Sequence, residues 1–195
     1  MIWFTADHHF EHENIRKPSH GSRPVNSLEE MNEVMIERWN HSVRPTDTVW
    51  HLGDFIWGKW GPRAKEIRDR LNGEIFFVRG NHDFKWEHLK RLGLNPLFPT
   101  PGDPAVMHVG GRAVVLTHYP PTDYVATNKV LGVLGDGAVW LHGHSHCRGK
   151  ILDPRVFDVG VDHQQRRPGW RYLDGGVPVG ITFGDPLSLD LLLGN

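Results

Sequence analysis

Apolar and polar residues alternate in blocks along the chain, and the blocks predict the elements. Ile2–Ala6, Thr48–Leu52 and Glu74–Val78 are short apolar runs of strand length. Between them lie two helical patterns. Ser27-Leu-Glu-Glu30 is a capping box, followed by Met31, Val34, Met35 and Trp39 at helical spacing and a stop before Pro45. Pro62–Leu71 has proline in its first turn and Asn72-Gly73 after its end. Phe84–Leu92 predicts a shorter helix. Gly110-Gly111 joins Ala105–Val109 to Arg112–Thr117, a hairpin signal. A helix over Asp123–Leu134 and strands at Ala138–Leu141 and Val156–Val161 complete the pattern. Asp7 to Pro24 is a long polar loop with room for a helical turn. Residues 163–186 carry no clear pattern. Strands that alternate with helices early and pair as a hairpin later imply mixed sheets. The expected fold is α/β, a layered sandwich built around mixed sheets, formed as a single domain over 1–195.

Composition narrows the function. Lys and Arg (22) nearly balance Asp and Glu (23), for a net charge of −1. There is therefore no global basic field of the kind that drives nucleic-acid binding. One cysteine, Cys147, excludes a disulfide framework and a thiolate zinc module. No run reaches membrane-span length, and the start lacks the basic and apolar regions of a signal peptide. A cytoplasmic protein with no membrane association and no obligate protein partner is the expectation. The 14 histidines are the departure from ordinary usage. Imidazole is the commonest metal ligand and the usual acid–base group near neutral pH.

Those histidines follow a grammar in which a strand ends, often at glycine, and metal-type ligands come next. It occurs at Asp7-His8-His9, Gly53-Asp54, Gly80-Asn81-His82-Asp83, His118 and Gly143-His144-Ser145-His146. Ligands in α/β sheets gather at strand carboxyl ends, so five clusters spread over positions 7 to 146 can converge on one site. Taken alone, Asp7 or Gly53-Asp54 is only a turn; the five in order are a signal.

These motifs resemble the signature of the calcineurin-like metallophosphoesterases. In particular they are similar to the small, cap-less bacterial and phage-type members, through Thr5–Ile15 and Asp47–Asp54. The resemblance implies a four-layer α/β/β/α sandwich of mixed sheets with a two-metal site at the strand carboxyl ends. Asp7, His9 and His146 would hold one ion, Asn81, His118 and His144 the other, and Asp54 would bridge. It also implies in-line attack by a metal-bridging hydroxide, with His82 as general acid and Asp83 orienting it. Such N/O ligands suit two divalent ions of Mn, Fe, Ni, Zn or Co, which would stabilise both the attacking and the leaving oxygen of a phosphoryl transfer. The implied substrate is a small phosphoester, a phosphodiester of nucleotide type. Two alternatives are a nuclease and a non-catalytic scaffold of the same fold.

The remaining residues divide by place. His12 and Arg16 are the candidate substrate contacts within a basic stretch that also holds Lys17, His20 and Arg23, since guanidinium pairs well with phosphate. His163, Arg166 and Arg167 are candidates for another wall of the pocket. Trp57, Trp60 and Trp86 are candidates for stacking on a nucleobase. His8 should point away from its ligand neighbours. His51 and His142 should be hydrogen-bonded core groups, and His41, His88 and His108 should lie at helix ends or on the surface. Cys147 reads as buried or incidental.

Overall fold

The computed structural model describes residues 1–17, 23–58, 61–83, 86–97, 104–146, 153–162 and 184–193. Two sheets face each other. The first has the order β4-β3-β2-β1-β9, with β1 (Ile2–Thr5), β2 (Thr48–His51), β3 (Glu74–Phe77) and β4 (Asn95–Pro96) parallel and β9 (Leu187–Ser188) antiparallel to β1. The second has the order β5-β6-β7-β8. There β5 (Ala105–Val109) and β6 (Arg112–Leu116) form the expected hairpin, and β6, β7 (Val139–His142) and β8 (Val156–Asp158) run parallel.

Side-chain alternation along the strands builds three apolar layers. Val49, Ile75 and Phe77 pack against Met31, Met35, Ile36 and Trp39 of α1 (Leu28–Ser42), Ala64 and Ile67 of α2 (Pro62–Arg70) and Leu89 of α3 (Trp86–Arg91). The opposite face contributes Phe4, which meets Val114, Leu116, Val139, Leu141 and Phe157 between the sheets. Ala113 and Val115 point outward onto Leu131 of α4 (Tyr124–Leu134). The order is helices, sheet, sheet, helix, which is the expected four-layer sandwich.

Caps and turns follow local chemistry, with differences in detail. Ser27 accepts from the Glu30 amide at 3.0 Å. Glu30 reaches back to the Asn26 amide at 2.7 Å rather than to that of Ser27. Asp123 caps α4 through the Ala126 amide at 2.8 Å. A 3₁₀ turn, Glu13–Arg16, lies within the expected loop. The strand expected over Val156–Val161 stops at Asp158, and the chain then meets Ala6, just past the end of β1, in an isolated Ala6–Gly160 bridge. That bridge, with the Val161 amide donating to the Ala6 carbonyl at 3.1 Å, joins the two sheets at their carboxyl ends. The two-residue strands β4 and β9 and the short α5 (Leu189–Leu193) were not expected. No helix among the described residues is long and apolar enough to cross a membrane.

Candidate metal centre

The exits of β1, β2, β3, β6 and β7 all open at the sheet-joining end. Beyond the last strand residues, the β1 and β2 exits stay zipped together. Asp7 and His9 donate their amides to the Gly53 and Asp54 carbonyls at 2.9 and 3.0 Å. The Gly143 amide donates to the His118 carbonyl at 3.0 Å, tying the β6 and β7 exits. Asp7, His9, Asp54, His144 and His146 all have positive φ, between 46° and 67°. This left-handed conformation is costly for residues with a Cβ and collects at functional sites. Here it turns successive side chains back over the strand ends.

Glycines make the approach possible. A Cβ on Gly80 would lie 2.3 Å from Asp54 Oδ1, and one on Gly143 would lie 2.6 Å from Ala6 Cβ and 2.9 Å from Asp7 Oδ2. The β2 and β3 exits, and those of β1 and β7, therefore touch backbone to side chain.

Two groups of ligand atoms result, each within 4.8 Å of one another: Asp7, His9 and His146, and Asp54, His118 and His144. Asp54 Oδ2 stands between them, 3.4 Å from His9 Nε2 and 3.5 Å from His118 Nε2. Asn81 Oδ1 joins the second group, 2.8 Å from His118 Nε2 and 2.9 Å from His144 Nδ1. All seven expected ligands thus meet.

The donor set fits cations. His118 donates Nδ1–H to the Leu52 carbonyl at 2.8 Å, which leaves the Nε2 lone pair facing Asn81 Oδ1 and Asp54 Oδ2. Burial lowers the His118 imidazole to about 3, so a second ring proton does not relieve that convergence of acceptors. Asp7 Oδ1 is buried without a hydrogen-bond partner, while Oδ2 accepts from the His144 amide at 2.8 Å. Burial, with Asp158, Asp54 and Asp162 nearby, raises the Asp7 carboxyl far above the usual carboxylate range. Burial likewise lowers His9, with help from His146 and Arg23. Burial thus drives both the carboxyls and the imidazoles toward their neutral forms, and neutral imidazole nitrogens converging with carboxylate and amide oxygens are a donor set that suits a divalent ion.

Sequence reasoning missed a support for the first group. Asp162 accepts from His146 Nδ1 at 2.6 Å and from Arg23 Nε at 3.0 Å. Arg23 also donates to the Asp7 and His8 carbonyls. Burial works to raise the Asp162 carboxyl, yet the Arg23 guanidinium and His146 hold it well below the ordinary range. The arrangement fixes the His146 tautomer with Nε2 left for a ligand role. Arg23 is therefore an internal clamp, its side chain 0% exposed, and not a substrate contact. Position gave no hint of this, since 139 residues separate the partners.

Asp83 is a second correction. Its carboxylate accepts from the backbone amides of Asp54 (2.7 Å), Gly80 (2.7 Å) and Phe55 (3.0 Å). These bonds lock the β2 exit to the β3 exit, so Asp83 shapes the loops and not the His82 ring. His82 itself donates its amide to Asp54 Oδ1 at 2.8 Å and presents its imidazole to a cleft. That cleft, of about 310 Å³, is lined by His9, His12, Asn14, Ile15, Trp57, His82 and His146. His12 is there as expected. Arg16 is not among the lining residues and pairs with Glu13.

His51 is the expected core histidine: it accepts from the Gly53 amide at 3.2 Å and meets His8 Nδ1 at 3.0 Å. His142 Nδ1 donates to the Gly143 carbonyl at 2.8 Å. His20, Trp60, Cys147, His163, Arg166, Arg167 and the Trp86 side chain lie outside the described residues.

A family model for the calcineurin-like phosphoesterase superfamily domain matches residues 4–187. An uncharacterized protein of Methanocaldococcus jannaschii is 36% identical over 98% of this chain and 89% of its own length. The solved structure of a protein of unknown function from Aquifex aeolicus is 25% identical, with a TM-score of 0.65, covering 83% of this chain and 90% of that one. With the family model covering nearly all of its length and two groups of candidate metal ligands at its strand ends, the chain belongs to the calcineurin-like phosphoesterase superfamily and is a metal-dependent phosphoesterase.

Proposed function

We propose that the site holds two divalent metal ions and hydrolyses a phosphodiester of nucleotide type, with His82 as general acid. The observation that carries this is Asp54 Oδ2, standing 3.4 and 3.5 Å from imidazole nitrogens of two separate ligand groups. Asp7, His9 and His146 would hold one ion, Asn81, His118 and His144 the other, with Asp54 common to both. Such a pair supplies a nucleophilic oxygen near neutral pH and neutralises charge on the phosphoryl oxygens.

The protein's own groups do the rest. Asp83 and the Arg23–Asp162 pair hold the ligand loops before substrate arrives, so little reorganisation remains for the reacting state. As the ester P–O bond breaks, the leaving oxygen gains charge, and a proton from the protonated His82 ring converts it to an alcohol, leaving the neutral imidazole. The lining of the cleft favours a diester. It contains no Lys or Arg among the described residues, whereas Ile15 and Trp57 offer apolar surface. A monoanionic diester with two organic arms suits that lining better than a dianionic monoester.

The test assays a model aryl diester and a model aryl monoester with Mn²⁺, Ni²⁺ or Zn²⁺. Faster turnover of the diester is expected, and on a diester whose leaving alcohol is a poor leaving group His82→Ala should lose about 10²-fold or more in kcat while keeping its metal. Equal or faster monoester cleavage contradicts the substrate class. Metal loss in His82→Ala contradicts the role given to His82.

A further inference from the structure

The catalytic imidazole needs an orienting group, and the expected one is engaged elsewhere. Asp83 is committed to three backbone amides. Among the described residues no hydrogen bond reaches the His82 ring, whose contacts are aromatic. Its centroid lies 4.6 Å from the Trp57 indole and 5.4 Å from the His9 ring. Trp57 is fixed in turn. Its amide donates to the Phe10 carbonyl at 2.8 Å, and the His12 ring stacks on it at 3.9 Å and 24°. The His12 amide donates to the His9 carbonyl at 3.1 Å, so the row His12, Trp57, His82 is anchored to the segment that carries the His9 ligand. Trp57 is 39% exposed and lines the cleft together with His82.

We propose that Trp57 is the positioning residue for His82, setting the direction of the imidazole by packing where related designs would use a hydrogen-bonded carboxylate. An imidazole held by ring contact keeps both nitrogens available, one to carry the transferred proton and the other to exchange with solvent. Loss of the indole leaves the ring free to rotate about its side-chain bonds, and the fraction of time spent aimed at the leaving oxygen falls. This inference rests on the general-acid reading of His82.

The test uses Trp57→Leu, which keeps apolar bulk, and Trp57→Phe, which restores a flat ring. In the metal-free protein, His82 ring-proton resonances, assigned by their absence in His82→Ala, should carry the indole ring-current shift and lose it in Trp57→Leu. With metal, Trp57→Leu should lower kcat about tenfold with KM nearly unchanged, only for esters whose leaving alcohol is a poor leaving group. Trp57→Phe should recover most of that loss. In a His82→Ala background Trp57→Leu should cost less than about twofold, since both act through one group. An unchanged His82 resonance, an equal loss in both backgrounds, or an equal loss for good and poor leaving groups overturns the inference. Should His82→Ala leave turnover intact, it is the general-acid reading that fails; should His82→Ala abolish turnover while Trp57→Leu does not, only the role of Trp57 fails.

Discussion

Gly80→Ala puts the close packing of the site to a quantitative test. Gly80 has no positive φ, so an alanine meets no backbone strain there and the effect is purely steric. Its Cβ would stand 2.3 Å from Asp54 Oδ1, 2.6 Å from Asp54 N and 2.9 Å from Asp54 Cγ. Carbon contacts are comfortable at about 3.5–4.0 Å, so the β3 exit and Asp54 must part by about 1 Å. Asp83 resists that parting, because one oxygen binds the amides of both Gly80 and Asp54. Overpacking of this kind costs about 1–3 kcal/mol, and the stretched bonds to a charged acceptor place the expected loss at the upper end, about 3 kcal/mol. Urea unfolding of the metal-free protein measures it. The displaced Asp54 should also leave the protein with less than its full complement of metal. Gly132→Ala is the control. Nothing lies within 4 Å of its new Cβ in α4, and it should stabilise by up to about 1 kcal/mol. A Gly80→Ala protein within about 0.5 kcal/mol of the parent, with undiminished metal, would refute the geometry.

Four further outcomes follow from the same structure. Arg23→Met leaves Asp162 buried without its counter-charge and should cost about 3–5 kcal/mol, most of it recovered in Arg23→Met/Asp162→Asn, as measured by denaturation. Asp162 titrates below its unfolded value, so its contribution is full above the unfolded carboxylate pKa of about 4 and is lost as pH falls further. The acid limb of stability in metal-free Asp162→Asn should therefore be flatter; an unchanged limb would show that Asp162 is not held ionised. Ser27→Ala should lower stability by about 1 kcal/mol through the lost cap on Glu30, and an unchanged unfolding midpoint would count against that bond. Chelation should lower Tm, each site filled at a hundred times its Kd contributing about 2.7 kcal/mol, whereas identical melting with and without chelator would mean no ion is bound.

What could be read from the sequence was what is local to a strand and its exit. Asp7, Asp54, Asn81, His118 and His144 each come within three residues of the end of an apolar run, and topology carries such residues to one end of the sheets. The layered architecture was legible for a related reason. Residues such as Val114 and Val115 serve opposite faces of one strand, and both are apolar because both faces are covered. Tertiary partnership was not legible. Arg23 read only as one member of a basic stretch beside a metal loop, and only the fold brings Asp162 to it. Asp83 looked like an orienting group for its neighbour because adjacency is all that a sequence displays. Its real partners are amides from two loops that chain order keeps nearly thirty residues apart. The strands β4 and β9 escaped notice because two residues carry no periodicity, and they exist only as edges completing a sheet.

The most direct measurement is the number of metal ions bound per chain, by elemental analysis after reconstitution and removal of free metal. Two ions in the parent and in His82→Ala, with one or none in Asp54→Ala, is the predicted result. A parent that saturates at a single ion, or an Asp54→Ala protein that still holds two, would contradict a centre built around a shared Asp54.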